Sequence, residues 1–353
     1  MIQIRRGTVV EARATGFGRT DLVVDIAGAR AKAIAYDSLT GPVEAGDTVV
    51  LNTTAVTLGL GTGGLHIVMA VEGREQPGPA TGHAMKLRYT PVQTAVDAVE
   101  QTHADALDEV TSLRGLPVIV AGLHSAIAPA VIGARAVDPS LRIAYVMTDA
   151  AALSMAFSDT VPALRAAGLL DTTITAGQAT GGELEAISLF GALAAAAAIA
   201  RADVVVIAMG PGNLGSASLL GFASIEVAAI VNAVAAMEGT PIVVPRISFA
   251  DARERHRGLS HHTITALSLA LARARITLPP LSPEHAAEVA GGLDLIRERH
   301  EIIDVDLGAA EAALKDAPVP LGSMGRGFDD DPDFFRAAAA AGVHAAAVAR
   351  ARR

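Results

Sequence analysis

The sequence predicts an α/β protein. A small N-terminal antiparallel β-barrel over residues 1–75 is followed by a doubly wound, mostly parallel α/β (Rossmann-like) domain over 83–280 and a helical C-terminal extension over 281–353. Three observations predict this. Short Val/Ile-rich runs broken by turn signals fill Gly7 to Val71; beyond them, near-continuous apolar runs alternate with long Ala-rich stretches. The chain has 353 residues, 51% of them hydrophobic and 18% charged, which is enough apolar side chain for more than one core.

The barrel strands read GTVVEARA, DLVVDIAG, AKAIAY, TVVLN and LHIVMAV, β-branched alternations separated by GFGR and GPVEAGD turns. GREQPGPATG, residues 73–82, has the Pro, Gly and polar content of a linker. Five apolar runs follow: PVIVAG (117–122), RIAYVMTD (142–149), TTITAG (172–177), DVVVIAMG (203–210) and TPIVVPRIS (240–248). Strands of this kind are buried on both faces by crossover helices. From about Leu281 the chain becomes more charged and helical, with an acidic FDDDPDFF segment and a final Ala/Arg helix.

In an open parallel sheet, ligands bind beyond the carboxyl ends of the strands, and here those ends are polar or glycine-rich. GPGNLG places Gly210, Gly212 and Asn213 in a turn that suits a phosphate or carboxylate, or else a tight corner. It sits in the fourth βα unit and Arg246, not an acidic residue, ends the next strand, so a dinucleotide fingerprint is disfavoured. Thr180 and Glu183 have capping-box spacing before a helix; Gly181 and Gly182 are not needed for a cap and suggest close approach by a ligand or another backbone. Asp149 is either a helix cap or a ligand contact.

His124 is either a hydrogen-bonded structural group or an acid/base. In RISFADARERHRGLSHHTITAL, Ser260 is a natural N-cap that puts His261 and His262 in a first helical turn, and adjacent histidines there are expected to point apart. Arg246 and Asp251 belong to the same segment. Lys86 stands out because the chain has only three lysines; its compact charge suits an anion site.

The expected set is therefore His124, Asp149 and Asp251 for acid/base work, with Lys86, Gly181, Gly182, Glu183, Gly210, Gly212, Asn213, Arg246, His261 and His262 around an anion. With no cysteine, any metal would draw on His124, Asp149, Asp251, His261 and His262. No cofactor follows from the residues.

A net charge of −9 and 3% aromatics argue against nucleic acid, and no apolar segment suits a membrane span. The N-terminus lacks a signal-peptide pattern, so a cytoplasmic protein is expected, and its long Ala-rich helices suggest a homodimer. MKLRYTPVQ, YVMTDAAALSMAFSDTVPAL, ITAGQATGGELEAISLFGAL, AMGPGNLGS, FADARERHRGLSHHT and SMGRGFDDDPDFF resemble the bacterial domain-of-unknown-function family 3866 over almost the whole chain. That resemblance implies no activity. The residues themselves point to an enzyme or enzyme-like binder of a small anionic metabolite, phosphorylated or nucleotide-like. The alternative is a non-catalytic sensor or assembly protein that contacts a partner through its barrel.

Overall fold

The structure, a computed structural model, describes residues 1–61, 63–76, 78 and 81–353; the expected linker at 73–82 falls partly outside them, at Pro77, Pro79 and Ala80. The chain divides into two compact units, Met1–Asp97 and Ala98–Arg353. The division lies further along the chain than the linker, and the C-terminal segment from 281 belongs to the second unit.

In the first unit, strands β1 (Ile4–Ala14), β2 (Arg19–Ile26), β3 (Ala29–Tyr36), β4 (Thr48–Asn52) and β5 (His66–Val71) form a closed barrel in the order β1-β2-β3-β5-β4. Its pairs are antiparallel except β3 with β5, which is parallel. Burial alternates strictly along β2, so Leu22, Val24 and Ile26 meet Val9, Val49, Leu51 and Val68 inside. A short antiparallel pair, β6 (Ala84–Lys86) with β7 (Thr94–Val96), belongs to the same unit.

The second unit is built on an eight-stranded sheet. Its strands are β8 (Pro117–Ala121), β9 (Ile143–Thr148), β10 (Thr172–Thr175), β11 (Leu184–Glu185), β12 (Val204–Met209) and β13 (Thr240–Val244); a separate antiparallel pair, β14 (Ile247–Ser248) and β15 (Gly258–Leu259), intervenes before β16 (Arg275–Leu278) and β17 (Glu301–Asp304) complete the sheet. Their order is β11-β10-β9-β12-β8-β13-β16-β17, and every neighbouring pair is parallel. β8, β9 and β12 are buried at every position, as their unbroken apolar sequences require.

Val118 and Val120 join a cluster with Leu193, Val227 and Val231 of helices Leu189–Ala198 and Val227–Ala236. Helices Ile127–Val137 and Pro332–Arg352 pack on each other, and the second also packs on β8, β13 and β16. Among the described residues, no helix is long and apolar enough to cross a membrane.

Two local expectations are corrected. Thr180 and Glu183 do not cap a helix: Leu184–Glu185 is an edge strand, and the helix begins at Leu189, with the Ser188 side chain accepting from the Gly191 N–H. Asp149 caps no helix either; its Oδ2 accepts from the Gln178 N–H at 2.8 Å, which ties the loops after β9 and β10 together.

Candidate functional site

Of the two adjacent central strands, β8 connects toward β9 on one side and β13 toward β16 on the other, so their carboxyl ends form a topological switch point. A recess lies there, lined by Gly122, Ser224, Val244, Arg246, His262 and Thr263 among others. Its cavity volume is about 30 Å³. It therefore accepts the end of a ligand, not a whole metabolite.

Arg246 follows β13 directly, and its backbone N–H donates to Thr263 Oγ1 at 2.9 Å. Its Nη2 donates to Asp251 Oδ2 at 3.1 Å, while Nε and Nη1 carry no hydrogen bond among the described residues. Burial pulls its pKa down to about 10, so it remains charged at neutral pH. Arg253 also pairs with Asp251, at 2.8 Å, and Arg326 Nε lies 3.2 Å from Asp331 Oδ2. Three guanidinium groups thus face two carboxylates, a local positive excess in a protein of net charge −9.

β14 pairs with β15, which turns the 249–257 loop back toward β13, and the Ser260 N–H donates to the Arg246 carbonyl at 2.9 Å. Ser260 then caps the helix His261–Leu269 as its sequence predicts. The return brings His256 against both histidines of the first turn. Ring centroids lie 4.9 Å (His256–His261), 4.7 Å (His256–His262) and 4.4 Å (His261–His262) apart. The expectation that His261 and His262 diverge is corrected: both rings turn toward Phe222, and His262 stacks on it at 4.0 Å. Burial is the main cause that pulls the pKa of His256 and of His262 down to about 3, and His261 shifts the same way. All three imidazoles are neutral at pH 7.

Several expected site residues have structural work instead. His124 Nδ1 lies 3.1 Å from the Met209 carbonyl and must donate to it, so Nε2 accepts from Ser158 Oγ at 2.7 Å. Burial pulls its pKa down to about 4. It is a spent hydrogen-bonding group, not a free base. Asp251 is buried between arginines, whose hydrogen bonds hold its carboxyl far below the usual range, so it positions guanidinium groups and does not take protons.

The Gly181–Gly182 turn is no free anion cradle, because the Gly181 N–H donates to Glu185 Oε1 at 2.7 Å. A side chain at Gly182 would run into the backbone of Thr175 and Leu184. Glu183 pairs with Arg165 and accepts from the Thr173 N–H at 2.9 Å. In the GPGNLG turn, Gly210 makes room for the Ala152 carbonyl, and Asn213 Oδ1 accepts from the Ser224 N–H at 3.2 Å. Gly212, at φ +102° with nothing near the place of a Cβ, alone keeps an open face. Lys86 is buried in β6 of the first unit and is not among the side chains lining the recess.

Glu226 is the residue that sequence reasoning missed. It stands at the end of a 3₁₀ turn, Ala223–Glu226, and its Oε1 accepts from Thr148 Oγ1 at 2.7 Å. Burial, aided by the Asp149 charge, raises its pKa to about 7. A carboxyl poised there can give or take a proton at neutral pH. A lone Glu opening an apolar helical stretch was the only available signal.

No curated protein matches the chain. Among solved structures, the crystal structure of YjeQ from Thermotoga maritima is similar at 13% identity, over 56% of this chain and 65% of that one, with a TM-score of 0.16. So remote a likeness carries no argument about this protein's chemistry. The family model described as "Protein of unknown function (DUF3866)" matches residues 32–342, and the chain belongs to that family.

Proposed function

We propose that this protein is an enzyme or enzyme-like binder of a small anionic metabolite, phosphorylated or nucleotide-like, whose charged end enters the recess at the carboxyl ends of β8 and β13. One observation carries the reading. Arg246 is largely desolvated on the recess wall, is held in place by Asp251, and keeps two donor nitrogens without a partner among the described residues. A buried guanidinium with spare donors is built to take an oxyanion bidentately. Glu226, with its pKa near 7, supplies the proton-transfer group in this reading.

The test is a thermal-shift screen of nucleotides, sugar phosphates and carboxylates, followed by calorimetry of the best hit on wild type and Arg246→Gln. A true hit raises Tm with the logarithm of its concentration. Its affinity is expected to fall at least about tenfold, or about 1.4 kcal/mol, in the variant. Equal affinity in a folded Arg246→Gln removes the reading. A homodimer belongs to the same proposal, supported by the exposed Leu214, Leu219 and Leu220 of one loop. Light scattering that returns the mass of a single 35.9 kDa chain sinks that part.

A further inference from the structure

We infer that His256, His261 and His262 are the protein ligands of a divalent transition-metal site, with zinc(II) the best match to its donors and a fourth position left for water or a ligand atom. One nitrogen from each ring lies within 4.8 Å of the other two. A tetrahedral ion with metal–nitrogen bonds of about 2.0–2.1 Å needs ligand nitrogens roughly 3.3 Å apart. Small rotations about the side-chain bonds close that gap.

The state of the rings supports the assignment. His261 Nε2 is buried and has no hydrogen-bond partner among the described residues, an arrangement that costs stability unless something occupies it. Serines orient the other two: Ser260 Oγ lies 2.8 Å from His256 Nδ1, and Ser224 Oγ lies 3.4 Å from His262 Nδ1. Each serine contact uses one nitrogen of its ring and leaves the second for an ion, the usual way in which an outer hydrogen bond fixes a ligating imidazole.

Phe222, stacked on His262, walls the group on one side. Among the described residues these three form the only such group of metal-ligating side chains. Asp251 cannot serve as a fourth ligand because Arg246 and Arg253 hold its carboxylate. Three imidazoles without a carboxylate or thiolate select zinc, cobalt or nickel over magnesium or calcium.

The inference stands apart from the anion reading, although His262 lines the same recess. Nearby Arg246 and Arg255 oppose a dication, so an anion in the fourth position would strengthen binding by restoring charge balance.

The experiment uses the full-length, untagged chain, stripped with chelator and dialysed. Zinc and cobalt are titrated calorimetrically, and the visible spectrum of the cobalt form is recorded. One equivalent bound at micromolar free ion, with the intense absorption of four-coordinate cobalt, is expected. His261→Gln should weaken binding at least about a hundredfold, whereas His285→Gln, outside the cluster, should leave it unchanged. If His261→Gln does not fold, X-ray absorption on zinc-loaded wild type decides: three imidazoles and one lighter ligand uphold the site, and any other count overturns it. No binding to wild type, or unchanged affinity in a folded His261→Gln, also overturns it. Arg246→Gln should keep one equivalent of metal while losing the anion, so the two readings fail separately.

Discussion

Glu226 couples stability to pH. Its folded-state pKa is raised to about 7 from an ordinary 4.5, so between those values the folded protein holds a proton that the unfolded chain has released. Stability from this group is therefore present below about pH 4.5 and is lost as pH rises to 7, by about 2–3 kcal/mol for a mostly buried carboxyl. His124, with its pKa lowered to about 4, acts in the opposite sense: its contribution is present above about pH 6.5 and is lost as pH falls toward 4. Wild-type curves alone mix the two.

The difference between wild type and Glu226→Gln isolates the carboxyl. Glu226→Gln should be the more stable of the two by an amount that grows from pH 4.5 to 7 and then levels off. Parallel Tm curves over that range would show that Glu226 titrates normally. At this scale the sequence was a partial guide. Arg246, His261 and His262 stood out because polar residues follow a strand end and a cap, and Arg246 and His262 do line the recess. His256 and Glu226 were not, because their partners come from a strand pair and a 3₁₀ turn that residue spacing does not reveal. The internal partners of Asp251, His124 and Glu183 were not legible, because a polar residue looks the same in sequence whether it serves a ligand or a neighbour.

Among the elements, two helices meet at unusually close range. A Cβ on Gly342, in helix Pro332–Arg352, would collide with the Ala130 carbonyl of helix Ile127–Val137, and one on Gly133 would collide with the Ala339 carbonyl. Both glycines are thus fixed by backbone packed against backbone, with the Ala-rich run 337–341 filling the rest of the seam. Gly342→Ala should cost about 1–3 kcal/mol in urea unfolding, as overpacking does. Gly291, on the exposed side of helix Pro283–Asp294, has nothing near its absent Cβ. Gly291→Ala should instead stabilise by about 0.5–1 kcal/mol through helix propensity. If both variants shift the midpoint in the same direction, the close crossing is not real.

The five barrel strands and the five long parallel strands were legible because buried strands write unbroken or alternating apolar runs. β16 and β17 were not, since RITL and EIID are too short and too mixed to stand out from the helices beside them. β11 hid inside a capping-box pattern for a related reason: two residues of strand carry no period at all.

At the scale of the whole molecule, each unit has an apolar cluster of its own among the described residues. The barrel cluster is drawn from residues between Val9 and Val71, and the sheet cluster from Val99 to Ala337, with no member in common. Every residue assigned here to the recess, the proton-transfer group or the metal site lies in the second unit. Residues 98–353 alone should therefore fold, unfold cooperatively, and bind both the metal and the best anionic hit within about threefold of the full chain.

The start point matters, because Val99 and Leu107 pack into the sheet cluster from the short helices Val99–Thr102 and Ala104–Asp108. Removing two buried aliphatic side chains costs about 2–5 kcal/mol each where the site cannot close up. A fragment beginning at Leu113 should consequently melt well below 98–353, although both keep all eight sheet strands. Circular dichroism melts of the two fragments, with calorimetry on the longer one, provide the measurement. A cooperative 98–353 that has lost the anion but kept the metal would mean that anion binding does not reside in residues 98–353 alone; equal melting of the two fragments would mean that the segment before Leu113 is not part of the second core.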